Sequence, residues 1–220
     1  MNIEMIFVQG GTFLMGSPES EAGRWNDERQ HEVTLHDFYI GKYPVTQAQW
    51  VAVMGNNPSH FKGDDLPVEN VSWNDTQEFI QKLNDLTGKA YRLPTEAEWE
   101  FAARGGTQSK GYLYAGSDDL NEVAWWYKNS NSRTRPVGRK KPNELGLHDM
   151  SGNVWQWCND WYGDYPAEPQ INPTGPDSGE IRVLRGGGWD CGAQICRSAN
   201  RYYGGPARRG NYIGFRLASQ

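Results

Sequence analysis

Polar and apolar residues alternate early in the chain, and the alternation predicts strands. His31-Glu32-Val33-Thr34-Leu35-His36 follows a period of two, and Phe38-Tyr39-Ile40 carries the pattern on to Gly41. Met5 to Ser17 reads as a hairpin of its own, with Ile6 and Val8 before a Gly10-Gly11 turn and Phe13 and Met15 after it. The strand histidines, His31 and His36, are expected to point away from Val33 and Leu35 into solvent rather than to ligate a metal. Glu19 to Gln30 is polar with no apolar period and predicts a surface loop.

Helical spacing then takes over. Thr46-Gln47-Ala48-Gln49 is a capping box in which hydroxyl and amide each meet a free backbone NH; the helix behind it carries Trp50, Val51 and Met54 and stops at Gly55. A second helix is expected from near Asn74, with Gln77 as capping partner, Phe79, Ile80 and Leu83 as its buried stripe and Gly88 as its end. In the third, Thr95 caps, Glu98 closes the box, and Trp99, Ala102 and Ala103 face inward. Beyond Gly106 the pattern turns short and irregular, with Asn, Asp, Gly and Pro punctuating aromatic clusters such as Trp125-Trp126-Tyr127 and Trp155 to Tyr162. Without an internal repeat or low-complexity linker, residues 1–220 read as one compact α+β domain, helices in its first half and short strands and long loops in its second.

Composition adjusts this picture. With 26 glycines, 12 prolines, 10 tryptophans and 11 tyrosines, burial must come from aromatic rings more than from long regular elements. A net charge of -5 without runs of like charge argues against nucleic acid or an anionic membrane as partner. No apolar run is long enough to span a membrane, and Met1-Asn2-Ile3-Glu4 lacks the basic start and apolar centre of a signal peptide, so the default expectation is a cytoplasmic monomer. Three cysteines are an odd count, which excludes a disulfide framework; Cys158, in a tryptophan-rich stretch, reads as a core thiol.

Several stretches together resemble the formylglycine-generating enzyme (sulfatase-modifying factor) family. They are Gly10-Gly11-Thr12-Phe13-Leu14-Met15-Gly16-Ser17, Tyr43-Pro44-Val45-Thr46, Arg92 to Gly106, Gly146-Leu147-His148-Asp149-Met150-Ser151-Gly152-Asn153-Val154-Trp155-Gln156-Trp157, Arg185-Gly186-Gly187-Gly188-Trp189 and Gly214-Phe215-Arg216. The resemblance implies a variant C-type lectin-like fold, two to three short helices on a small antiparallel sheet with much irregular chain. For an oxidase of this family it implies Cys191 and Cys196 as copper ligands with Trp155 nearby, since thiolates are soft donors that select Cu(I). The copper would take a substrate cysteine and dioxygen and yield formylglycine. Two positions depart from the family pattern: Gly188 stands where its serine is usual, and Gln156 where a calcium loop (here Asp149, Gly152, Val154 and Gln156) usually ends in Glu. Without that resemblance the two thiols read as small, partly buried residues or one incidental disulfide.

The same family contains the variable proteins of diversity-generating retroelements, whose C-terminal surface is rewritten by a reverse transcriptase that errs at adenines. Residues 189–217 look like such a variable region. An Asn codon altered at its two adenines reaches Tyr, Gly, Arg, Asp, Cys, Ala, Ile or Ser, but not Trp, Met, Lys, Glu or Gln. Between Asp190 and Cys196 and between Tyr202 and Tyr212, Gln194 falls outside what such codons reach, and Lys, Glu and Met are missing from the whole segment. Tyrosine among glycine and small polar residues is also the make-up of antibody-like contact surfaces. The favoured expectation is therefore a non-catalytic protein that binds an unidentified protein or cell-surface ligand. Its contact face would be Asp190, Cys191, Gly192, Gln194, Tyr202, Tyr203, Arg209, Asn211 and Tyr212, on a scaffold of Arg185, Gly186, Gly187, Gly214 and Phe215. Copper-dependent formylglycine generation is the alternative, a fixed protein-interaction module the second; an ordinary glycine-rich packing loop is the plain reading of the segment.

Overall fold

A computed structural model describes residues 3–220; Met1 and Asn2, part of the stretch read above as lacking a leader, lie outside the described residues. The strands are β1 (Met5–Val8), β2 (Gly11–Met15), β3 (His31–Leu35), β4 (Phe38–Gly41), β5 (Trp155–Trp161), β6 (Gln170–Ile171), β7 (Arg182–Arg185), β8 (Arg201–Gly204), β9 (Ile213–Phe215) and β10 (Ala218–Ser219). The helices are α1 (Gln47–Met54), α2 (Trp73–Thr87), α3 (Glu96–Ala103) and the single turn α4 (Leu120–Val123). The α+β expectation holds. The expected single antiparallel sheet is instead three small sheets, ordered β1-β4-β10, β2-β3-β6 and β8-β7-β5-β9, two of which contain a parallel pair.

Met5 to Ser17 is not a hairpin. β1 pairs with β4 and β2 with β3, in one register that runs from Met5 opposite Gly41 to Met15 opposite His31. The chain therefore passes straight through Gly10-Gly11 and kinks there instead of reversing. A Cβ on Gly10 would sit 2.3 Å from the Leu35 carbonyl oxygen, and its amide donates to Asp37 Oδ1 at 2.8 Å. The true reversal is residues 16–30, and that segment is no free surface loop: Glu28 within it is wholly buried. Period two also puts His31 on the face of Val33 and Leu35, contrary to expectation; it is buried, with its ring 4.7 Å from that of Tyr165. His36 is exposed as expected.

The capping boxes at Thr46/Gln49 and Thr95/Glu98 form, and α1 and α2 end at left-handed Gly55 and Gly88. α2 begins earlier than expected because Ser72, not Asn74, is its cap. Asp75, not Gln77, is the capping partner: its carboxylate accepts from the Ser72 amide at 2.8 Å, and its own amide donates to the Ser72 hydroxyl at 3.1 Å. Trp50 of α1 stacks on Phe79 of α2 at 5.1 Å, and Phe215 of β9 meets both rings edge-on. This triad fastens the helices to the last sheet, and each ring withdraws an area worth roughly 2–3 kcal/mol from water. α3 is buried on every side, and Cys158 lies in the core as expected. Among the described residues no helix is long and apolar enough to cross a membrane.

Candidate functional site

The C-terminal third stands on buried arginines. Arg185 at the end of β7 reaches Glu96 at 3.0 Å and Glu100, both on α3. Arg201 at the start of β8 grips both oxygens of Glu96, at 2.7 and 2.9 Å. Arg197 binds Glu28 through both terminal nitrogens, at 2.8 and 2.6 Å, and also reaches Glu21 and the Gly23 carbonyl. Burial alone would raise the carboxyls of Glu96 and Glu28; Arg201 and Arg185 bring Glu96, and Arg197 with Ser17 bring Glu28, below the usual carboxylate value. The ion pairs thus lock residues 16–30 against the 3-10 turn Ala193–Cys196 and against β8.

Gly186 and Gly187 let β7 turn into this region. Both have positive φ, +97° and +74°, and a Cβ on Gly187 would come within 2.9 Å of Cys196 Sγ. Gly214 passes so close to the Val68 carbonyl that a Cβ would sit 2.4 Å from it, and Phe215 is fully buried. The expected scaffold residues thus have scaffold positions.

Above this base opens a mainly apolar cavity of about 700 Å³. A row of rings forms one wall: Trp155 and Tyr202 with centroids 5.0 Å apart, Tyr202 and Tyr203 at 5.5 Å, and Tyr203 and Tyr162 at 4.7 Å. Tyr212, Ile195 and Cys191 also line the cavity, and Trp25, Asn26 and Asp27 complete the lining. Arg208 lies along the tyrosines, donating to the Tyr212 hydroxyl at 3.1 Å and to the Tyr202 hydroxyl at 3.4 Å. Asp27 accepts from the Tyr162 hydroxyl at 2.5 Å.

Of the expected contact face, Asp190, Cys191, Tyr202, Tyr203 and Tyr212 line the cavity together. Gly192 and Gln194 are exposed beside it, with Gln194 packed against Gly23. Arg209 turns the other way, onto both oxygens of Asp75 at 2.7 Å. Asn211 is half-buried, and its carbonyl accepts from Trp189 Nε1 at 3.0 Å. Sequence reasoning missed Trp25, Asn26, Asp27, Tyr162 and Arg208. The one available signal was a tryptophan, Trp25, in the middle of an otherwise polar loop.

All three cysteines are free thiols. Cys191 and Cys196 pack into one apolar cluster below the cavity, with Trp155 beside Cys191. Burial, then the Asp190 carboxylate, push the Cys191 thiol up to about 12, and burial pushes Cys196 well above its usual value. The donors are of the soft kind that suits Cu(I), and burial disfavours the thiolate form at both.

The calcium-loop resemblance meets a different chemistry. Asp149 is buried, its Oδ2 accepting from the Gly138 amide at 2.8 Å and its Oδ1 from Asn153 Nδ2 at 3.2 Å. Gln156 Oε1 accepts from Trp99 Nε1 at 2.8 Å and from Arg216 Nε at 2.7 Å. A calcium ion needs free oxygens, and here a guanidinium already touches the Gln156 oxygen. As folded, Asp149, Gly152, Val154 and Gln156 do not fit calcium; residues 149–153 make a tight turn, with Asp149, Gly152 and Asn153 all at positive φ, and Gln156 belongs to β5.

Fold and site together define a C-type lectin-like α+β domain whose last strands and loops build an open aromatic cavity. The chain belongs to the family described as the sulfatase-modifying factor enzyme 1-like domain, which matches residues 1–220. It is similar in structure to Treponema denticola variable protein 1, with a TM-score of 0.92, 34% identity, and coverage of 99% of this chain and 95% of that one. It is 36% identical over 236 residues to the chaperone protein LppX of Paenibacillus barcinonensis, covering 84% of this chain and 78% of that one. It is 39% identical over 172 residues to the formylglycine-generating enzyme of Streptomyces coelicolor, covering 70% of this chain and about half of that one, 52%. The family thus includes enzymes as well as a variable protein.

Proposed function

We propose that this protein is a non-catalytic ligand-binding protein that displays a diversified surface, residues 189–217, on a rigid scaffold. One observation carries the reading: within that segment, burial separates two kinds of residue. Cys196 to Arg201 and Ile213 to Leu217 are buried, as β8, β9 and the ion pairs require. Asp190, Cys191, Tyr202, Tyr203 and Tyr212 are exposed or half-buried, and they meet in the cavity. Asp190 and Tyr203 are exposed, while Cys191, Tyr202 and Tyr212 pack one side on the core and turn the other to the cavity, and all five are residue types that altered Asn codons reach. The likeness to the Treponema variable protein supports the same reading. Sequencing this locus in many independent isolates tests it. Differences should concentrate at the cavity-lining codons between Asp190 and Tyr212; differences spread evenly along the gene would overturn the proposal.

One observation favours a second reading, copper-dependent oxidation of a substrate cysteine: Cys191 and Cys196 meet in one cluster beside Trp155. On that reading the two thiols would hold Cu(I), which supplies the chemistry with dioxygen, while the cavity would receive the substrate peptide. Anaerobic Cu(I) titration of the reduced protein separates the readings. Tight one-to-one binding abolished by Cys191→Ser, with aldehyde formation in a sulfatase-motif peptide, would establish the oxidase; weak binding indifferent to Cys191 supports recognition alone.

A further inference from the structure

The charges around the cavity are unevenly matched, and this bears on what it holds. Asp27 and Asp190 bring two carboxylates to its lining. Among the described residues, the Asp27 carboxylate accepts one hydrogen bond, from the Tyr162 hydroxyl, and the Asp190 carboxylate one thiol contact, at 3.6 Å from Cys191. Two cations also line the cavity. Arg201 is buried in its pair with Glu96, whereas Arg208 directs its nitrogens to the neutral Tyr202 and Tyr212 hydroxyls and the Tyr203 carbonyl, which leaves one guanidinium against the two carboxylates.

The aromatic wall favours the same sign. Ring faces attract cations, and the protein's own arginines already use them: Arg208 lies 5.3 Å from the Tyr202 centroid and Arg201 4.5 Å from that of Tyr162. At the rim, Trp25 and Tyr203 are 54% and 44% exposed, the latter with its ring between those of Tyr202 and Tyr162. An alkyl stem between such rings with a charged head near a carboxylate is how long basic side chains bury themselves.

We propose that the cavity takes a positively charged side chain, arginine or lysine, presented by a partner protein. The inference rests on the recognition reading above and adds the chemistry of the bound group. The stem lies against the aromatic wall of Tyr202 and Tyr203, and the head forms a charge-assisted hydrogen bond with one of the two carboxylates, Asp27 beside Tyr162 or Asp190 beside Cys191.

Selection of a displayed random peptide library on the immobilised protein tests this, followed by affinity measurements on the enriched peptides. Three variants serve as controls: Asp190→Asn, the double Asp27→Asn/Asp190→Asn, and the triple Tyr202→Ala/Tyr203→Ala/Tyr212→Ala. Each is checked for folding by circular dichroism. The expected peptides share an arginine or lysine and weaken about tenfold or more on the double variant. They should weaken equally when that arginine is replaced by neutral citrulline or that lysine by norleucine, a control that does not depend on any variant folding. Peptides that need the tyrosines but carry no basic residue, or that ignore both carboxylates and citrulline, would overturn the proposal and leave recognition standing. No enriched peptide, or binding indifferent to the tyrosines, would remove both.

Discussion

Arginines leave the C-terminal segment in two opposite directions. Arg185, Arg197 and Arg201 turn inward, are all but inaccessible, and meet Glu28, Glu96 and Glu100. Arg208 and Arg209 turn outward, one onto tyrosine hydroxyls and the other onto Asp75. The residue type is the same, but burial alone decides whether its loss is a fault in the fold or a change of surface. An interior guanidinium removed from its carboxylates leaves charges that nothing else can neutralise, whereas an exposed one is replaced by water.

The largest effect should therefore follow from Arg197→Ala, which takes from the wholly buried Glu28 the guanidinium that binds both its oxygens. Loss of about 3–5 kcal/mol in urea unfolding is expected, and a loss below about 1 kcal/mol would break the contrast between the two directions. Glu69 sharpens it from the acidic side, because it is a wholly buried carboxyl whose Oε2 has no partner. Burial raises its pKa from 4.5 to about 7, so the stability it contributes is complete below pH 4.5 and disappears as pH rises through 7. Glu69→Gln should thus stabilise the protein at pH 8, by up to about 3 kcal/mol, and leave it unchanged at pH 4. Glu28 and Glu96 run the other way. Their lowered values make stability present above the unfolded carboxyl range and lost as pH falls through the folded values. Acid titration of Tm in wild type and Glu69→Gln separates the two slopes.

Outward changes should be smaller. Arg209→Ala removes an exposed pair and should cost about 0–1 kcal/mol, less still in high salt. Tyr203→Ala should change stability by no more than about 0.5 kcal/mol while weakening any peptide bound in the cavity. A cooperative loss of structure would mean that its ring holds the wall together instead of contacting a ligand. Chelation with EDTA should leave Tm unmoved, since Arg216 and Trp99 already occupy the Gln156 oxygen; a fall would place an ion in that turn.

What was legible in the sequence was local. Thr46 and Thr95 as caps, Gly55 and Gly88 as stops, and the strands at His31 and Phe38 depend on neighbours within a few residues. The partner of β1 was not legible, because two glycines serve a kink as well as a turn and the choice lies with Leu35 and Asp37. The start of α2 went astray because both Ser72-x-x-Asp75 and Asn74-x-x-Gln77 look like capping boxes. At the site, the half of the cavity built from Asp190 to Tyr212 could be read from residue types. The half built from Trp25 to Asp27 could not, since its place depends on Arg197 meeting Glu28 across most of the chain. Gln156 in the Asp149 turn was readable as a departure, but its hydrogen bonds to Trp99 and Arg216 were not.

That pinned stretch has a consequence for what the protein can select. The cavity works like a tool with one fixed part: Trp25, Asn26 and Asp27 sit on a segment clamped by interior ion pairs and far in sequence from Asp190 to Tyr212. On the proposed diversification of residues 189–217, every version would present the same indole and carboxylate. Such a repertoire would be confined to targets that share one constant handhold.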